Sequence, residues 1–243
     1  MLELNEKGFL NGHTPFSALL AFVNVLLSCV NGVGNIALSN ENSANESTVP
    51  GTKINHQYSK SFEFENDFNY YIHNYVHPEL KYFSFLRPLN EMQIAFLFSK
   101  YHWHFESFRS CNVGSKNDEW CGSCPKCLFT YLILSPFIKK KTLDNIFKKD
   151  LLNDQDLTGI LLELSGVSEV KPFECVGTIK EVQSAVNNLK SNESYTLGKS
   201  ILLNLNDNQI DKNIGIKELL SEFNNHNNLP ESFLRIIKKA IDD

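Results

Sequence analysis

No stretch of this sequence is apolar for the roughly twenty residues that a membrane span needs. The most apolar segment, residues 15–30, is broken by Ser17, Asn24 and Ser28 and reads as a buried helix. A secretory leader is not expected either, because Glu3 and Glu6 against Lys7 alone is the reverse of a basic n-region. The expected compartment is therefore the cytoplasm, with no membrane partner. Asn45-Glu46-Ser47 and Asn192-Glu193-Ser194 are then chance sequons in an asparagine-rich chain. A broad basic face is missing too: 23 lysines and arginines stand against 28 acids, a net charge of −5, which argues against nucleic acid as a partner. The lysine runs at 139–141 and 148–149 read as solvated helix ends. No internal repeat is present. The string Gly32-Val33-Gly34-Asn35-Ile36-Ala37 imitates a dinucleotide fingerprint in the wrong order. It follows a helix and enters a strand, so it reads as a cap and turn.

What the chain does have is 243 residues, 42% of them hydrophobic, enough for one real core with or without an appendage. It also has a cysteine cluster. Four of its six cysteines, Cys111, Cys121, Cys124 and Cys127, follow the pattern C-x9-C-x2-C-x2-C. Thiolates three residues apart on a turn entering a helix can converge on one point, and Cys111 can close a four-sulfur cage of the kind Zn²⁺ prefers. Gly122 and Ser123 permit the turn, and Pro125 suits the first turn of a helix through 128–134. The other readings are four packed thiols, a disulfide pair, or an iron–sulfur cluster. The clustering in a polar loop, the expected reducing compartment and the lack of a cysteine shortly after Cys127 each favour zinc, in a structural role because a closed thiolate set leaves no open position. His102 and His104 stand just upstream as substitute ligands that a complete set does not need. Cys29, in the apolar helix, reads as packing.

The pattern of elements is α/β. Helices are expected at 15–30, 61–75 and 89–99, with strands at 35–39 and 81–86 and a long polar loop at 40–58. Helix and strand in alternation imply a parallel sheet covered by helices, whose ligands gather beyond the carboxyl ends of the strands, here the loop from Asn40 and the segment at Arg87. After residue 140 the reading is mainly helical, with candidates at 142–149, 156–164, 178–189, 216–224 and 231–241. The expected division is an α/β domain over 1–140 and a helical C-terminal region over 141–243.

Several long polar motifs carry a resemblance. They are Asn11-Gly12-His13-Thr14-Pro15, Ser39-Asn40-Glu41-Asn42-Ser43-Ala44, the stretch from Asn55 to Glu65, Leu86-Arg87-Pro88-Leu89, Trp120 through Cys127, and Lys171-Pro172-Phe173-Glu174-Cys175-Val176-Gly177. From about residue 9 to 180 the chain resembles the UDP-N-acetylmuramoyl-L-alanyl-L-glutamate epimerase family of peptidoglycan synthesis. More distantly it resembles 7-cyano-7-deazaguanine synthase and other ATP pyrophosphatases, which carry a four-cysteine zinc site in the matching place. The resemblance implies part of a doubly wound parallel sheet of the ATP-pyrophosphatase type. It also implies inversion of the terminal glutamate of UDP-MurNAc-L-Ala-L-Glu, using ATP and Mg²⁺, through an acyl-adenylate. One departure is plain: the serine/glycine-rich ATP loop of those families has no counterpart here. The expectation is a C-terminal part of a longer enzyme, or one half of a split one, with ATP and Mg²⁺ held mainly by a missing segment or by a separate chain. Two other functions remain open: a nucleobase- or tRNA-modifying ATP pyrophosphatase, and a non-catalytic zinc-binding subunit.

The residues expected at the site each have a plainer reading. His13 and His56 are site residues or ordinary loop hydrogen-bonding groups. Asn40, Glu41 and Ser43 are substrate ligands or caps. Lys60 and Arg87 hold phosphate or carboxylate, or form surface ion pairs. Cys175, beside Glu174 in a Pro- and Gly-flanked turn, is a proton-transfer thiol or a small buried one. The expected catalytic group is Cys175, Glu174 and His56.

Overall fold

The computed structural model describes residue 7 and residues 15–47, 51–168, 170–172, 174–196 and 199–242. Helix α1 (Phe16–Asn31) ends at Gly32, whose left-handed φ of 66° and N–H to Ser28 make the expected cap. Strand β1 (Asn35–Leu38) follows at once. Helix α2 (Phe62–Tyr75), capped by the Ser61 hydroxyl accepting from the Phe64 N–H, carries the chain over to strand β2 (Lys81–Ser84). The strands pair in parallel, Asn35 opposite Lys81 through Leu38 opposite Ser84, as a β–α–β crossover requires. The chain is thus α/β, and among the described residues its sheet has two strands. The expected second strand stops at Ser84 rather than at residue 86, because the chain turns there and the Arg87 N–H returns to the Ser84 carbonyl.

Helix α3 (Glu91–Ser99) opens on an Asn90–Gln93 capping box, and α4 (Pro125–Leu134) has proline in its first turn, as expected. Then come α5 (Lys140–Phe147), α6 (Thr158–Leu164), α7 (Ile179–Lys190), α8 (Glu193–Thr196), α9 (Ile216–Ser221) and α10 (Glu231–Asp242). Helix α4 is the centre of the main core: Cys127, Leu128, Tyr131 and Leu132 are fully buried among α3, α5, α6 and α7. That core runs from Met92 to Leu219, so residue 140, the expected domain boundary, falls inside it.

A smaller core joins α1, β1, α2 and β2 through Ala21, Val25, Ile36, Phe68, Ile72 and Tyr82. It corrects the expectation for α1. Only Ala21, Val25 and Ser28 are buried, at a helical spacing of four and three. Phe16, Leu19, Phe22, Leu26, Leu27 and Val30 are more than half to three-quarters exposed or close to it, from 50% to 74%. Cys29 is exposed as well. The physical reason is width: the helix has a two-stranded sheet and α2 to lie on, which cover one stripe of a helix that is apolar nearly all round. No described helix is long and apolar enough to cross a membrane.

Arg87, just past the end of β2, corrects a second expectation. Arg87 is fully buried and is not presented to a ligand. Its guanidinium donates to the carbonyls of Glu41 (2.7 Å) and Lys60 (2.5 Å) and to the Ser84 hydroxyl (3.1 Å), and it pairs with the buried Glu65 carboxylate at 3.4 Å. Asn40, Glu41 and Ser43 belong to the same structural knot. Asn40 donates to Ser84, the Glu41 carboxylate caps the turn over Asn42–Asn45 by accepting from the Ala44 N–H, and Ser43 is buried. Of the three, Glu41 takes the capping role. The C-terminal region ties in here too, with the Asn224 side chain donating to Asn42 and Asn228 donating to Glu65. Replacing Arg87 by leucine strands the Glu65 carboxylate and several acceptors in the interior. Arg87→Leu is expected to lower the unfolding free energy by about 3–5 kcal/mol in urea denaturation followed by circular dichroism. A loss below about 1 kcal/mol would assign Arg87 the modest worth of a surface ion pair.

Candidate active site

The turn that carries Cys175 is built by two tight closures, the Glu174 N–H to the Pro172 carbonyl and the Val176 N–H to the Glu174 carbonyl. Gly177 lets it pack: a Cβ there would meet the Phe129 ring at 2.6 Å and the Glu181 carboxylate at 2.8 Å. The turn is thereby pressed against α4 and the start of α7, where the Thr178–Glu181 capping box begins the helix. Cys175 itself is exposed, which removes the buried-thiol reading.

Two cavities open beside Cys175. One, of about 530 Å³, is lined by His56, Tyr58, Lys60, Asn112, Lys126 and Glu174 as well as Cys175 and the first turn of α1. The other, of about 270 Å³, has apolar walls from α3 and α4, including Ile94, Phe98, Phe129 and Ile133, with Glu91, Ser110, Lys126 and Cys175 among its polar lining. Cys175 and Lys126 are common to both and stand between them. The Lys60 Nζ lies 3.2 Å from the Cys175 Sγ. Lys126 donates to the Asn112 side-chain oxygen at 3.1 Å and pairs with Glu174 at 3.7 Å, while Asn112 donates to Glu174 at 3.5 Å. In the larger cavity two lysines thus stand against the one carboxylate of Glu174, an arrangement that suits a ligand bearing carboxylates or phosphates.

Of the residues expected at the site, the structure brings together Cys175, Glu174, His56 and Lys60 around these cavities. It does not bring Asn40, Glu41, Ser43 or Arg87 to them, since those four hold the loop after β1 in place. His13 lies outside the described residues. Three participants escaped the sequence reading. Asn112 and Lys126 sit inside the cysteine motif, each next to a cysteine, where the metal pattern drew the attention. Glu91 opens a helix, where an acid is ordinarily explained by the dipole.

The four clustered cysteines converge as their spacing predicts. Their sulfurs all lie within 4.8 Å of one another, with Cys111 to Cys124 and Cys121 to Cys127 at 3.7 Å and Cys124 to Cys127 at 3.5 Å. None is bonded as a disulfide, so that reading is set aside. Contact with Cys127 holds the Cys124 thiol down, to about 7, and Cys124 in turn pushes Cys127 up, the mark of thiols crowded enough for one to ionise at its neighbour's expense. Gly114 makes the loop possible, because a Cβ there would strike the Glu119 carbonyl oxygen at 2.2 Å, and its N–H donates to the Cys111 sulfur. His102 and His104 lie outside this group.

Comparison with known proteins gives the geometry a family. The description "MurL N-terminal domain" matches residues 1–85, and "MurL C-terminal domain" matches residues 107–218. A curated protein of Xanthomonas oryzae pv. oryzae, named UDP-N-acetyl-alpha-D-muramoyl-L-alanyl-L-glutamate epimerase, is 40% identical over 203 residues, 80% of this chain and 45% of the relative. Proteins of the same name from Salinispora tropica and a Micromonospora species are 38% and 35% identical, over 74% and 80% of this chain and 41% and 45% of their own lengths. The chain therefore spans less than half the length of these relatives. No solved structure matches. Both MurL domain descriptions fall in order along one sequence, at identities well above chance, and the chain belongs to the MurL epimerase family.

Proposed function

We propose that this chain carries the substrate-handling part of an ATP-dependent epimerase that inverts the terminal glutamate of UDP-MurNAc-L-Ala-L-Glu in peptidoglycan synthesis, the activity its relatives are named for. The observation that supports this most is the accessible Cys175 thiol at the junction of two cavities, with the Lys60 ammonium 3.2 Å away. The reaction asks for such groups. The Cα–H beside a free carboxylate is a very weak acid, because the carbanion would form next to a negative charge. Transfer of AMP to the α-carboxylate removes that charge and makes the acyl group an electron sink. A positioned thiolate can then take the α-proton. Lys60 and Lys126 face the space where the remaining carboxylate and the developing enolate would lie, and His56 lines the same wall.

Adenylation needs a loop that cradles phosphate and Mg²⁺. We place it on a further α/β segment that adds a strand at the edge of β1 left unpaired among the described residues and covers α1. What supports this is the exposed apolar surface of α1, the cavity along β1 lined by Leu27, Val33, Ile36 and Ala37, and the relatives' greater length.

The four-cysteine cage suits one Zn²⁺. Bonds of about 2.3 Å to a central ion put tetrahedral sulfurs about 3.8 Å apart, close to the spacings of the cage. Sulfurs this close leave no room at the centre for a cube of iron and sulfide. A closed thiolate site would tie the loop carrying Cys111 and Asn112 to the start of α4, which carries Lys126, and so hold two cavity residues in register.

Purified under reducing conditions, the chain is expected to hold one zinc per molecule by plasma mass spectrometry, and Cys124→Ser to lose most of it. Metal-free protein with full thermal stability would remove the metal from the account. For the reaction, the chain is incubated in D₂O with UDP-MurNAc-L-Ala-L-Glu, ATP and Mg²⁺, together with a polypeptide comprising the part of the Xanthomonas relative outside the matched span. Deuterium should enter the glutamate Cα and D-glutamate appear, and Cys175→Ser should slow both by about 10²–10⁴-fold. Unlabelled L-glutamate throughout would refute the epimerase reading.

A further inference from the structure

Glu91 is the first residue of α3 and lines the smaller cavity with Cys175 and Lys126. Its backbone N–H is held by the Glu181 carboxylate at 2.5 Å, but among the described residues its own carboxylate has no hydrogen bond and no ion pair. The groups that face it come from four segments: Glu41 from the loop after β1, Glu181 from α7, Lys171 from the turn leading to Cys175, and Lys60 from the turn before α2. Each of these has other work. Glu41 caps a turn, Glu181 caps both α7 and α3, Lys171 pairs with Glu46, and Lys60 touches the Cys175 sulfur. Burial first, and repulsion from Glu41 and Glu181 next, push the Glu91 carboxyl well above the ordinary carboxylate range, against the pull of Lys171 and Lys60.

Inversion at carbon needs a proton removed on one face and another delivered on the other, so two groups of opposite protonation must border the same space. Glu174, the carboxyl of the expected catalytic group, is engaged with Lys126 and Asn112 on the side of the larger cavity. We propose that Glu91 is the second proton-transfer group, paired with Cys175 across the smaller cavity. This rests on the epimerase reading above. The Cys175 thiolate takes the α-proton, forming S–H, and the C–H electron pair moves into the enolate of the activated glutamate. The Glu91 O–H then gives its proton to the opposite face, forming the new Cα–H and leaving a carboxylate. Exchange with water resets both groups.

Two measurements test it. The first needs neither ATP nor turnover: iodoacetamide alkylation of Cys175 in the full chain, followed from pH 5 to 9 by mass spectrometry of its peptide. The wild-type rate profile should carry an extra inflection where the Glu91 carboxyl ionises, above the ordinary carboxylate range, and Glu91→Gln should remove it. Superposable profiles would overturn the pairing whatever the reaction proves to be. The second is the D₂O assay with Glu91→Gln. The variant should still wash deuterium into the L-substrate, because Cys175 can return a solvent proton to the face it came from, while inversion falls at least about 100-fold. Equal loss of washing-in and inversion would make Glu91 structural, and unchanged inversion would exclude it. Failure of wild type to exchange at all would strike the epimerase reading instead, leaving the alkylation profile to decide where Glu91 stands.

Discussion

A guanidinium cannot be left in a protein interior without acceptors, and the acceptors that Arg87 collects organise the rest of the molecule. Its partners come from the loop after β1, the turn before α2, α2 itself and the end of β2. Two of these segments, the loop after β1 and the turn before α2, lie outside the helices and strands that local signals specify. By accepting at its carbonyl, Lys60 has its backbone fixed to the sheet, which fixes in turn the start of the side chain that reaches Cys175. Arg87 is thus a positioning residue two steps removed from the candidate chemistry: it touches no cavity, yet it determines where one cation of the site stands.

Glu181 does for the helical side what Arg87 does for the sheet. One carboxylate accepts from the backbone and hydroxyl of Thr178, at the head of its own helix, and from the backbone N–H groups of Glu91 and Met92 at the head of α3. Two helix N-termini are capped by one charge. Gly177 and Cys175 immediately precede the first, and Glu91 opens the second, so the same carboxylate holds both walls of the smaller cavity. Burial pushes the Glu181 carboxyl up and these donors pull it down, which marks it as an interior group tolerated because it is so fully bonded.

Local signals in the sequence carried the elements and the cysteine cage, because caps, proline and cysteine spacing act within a few residues of themselves. Ser61, Asn90 and Thr178 cap helices close to where the helical pattern begins, and Cys111 joins Cys121, Cys124 and Cys127 as the spacing asked. What was not legible depends on distant partners. Nothing beside Arg87 in the sequence announces Glu41, Lys60 and Glu65, so an arginine before a proline looked like a ligand hook. Nothing in the sequence singles out Glu91 within its helix, and only the fold sets Glu41 and Glu181 around it. Cys175 and His56 stood out in the sequence as polar and reactive side chains in turns, although the cavity that both of them line was not legible.

The exposed face of α1 shows why apolarity and burial are separate properties. Hydrophobic character states that a surface gains by being covered, at about 25 cal/mol per Å², but not what covers it. Exposed apolar surface of this extent, on a helix beside a parallel strand edge that is unpaired among the described residues, is the arrangement that a further strand and helix would complete, since parallel sheets are covered on both faces. The larger cavity is lined in part by Pro15 through Ala18, the first turn of that same helix. Whatever lies on α1 would therefore also border the space in front of Lys60 and Cys175. The physical consequence is a shared border: the apolar face of α1 and the larger cavity meet at the first turn of one helix, so a change in what covers the helix is felt at the cavity wall.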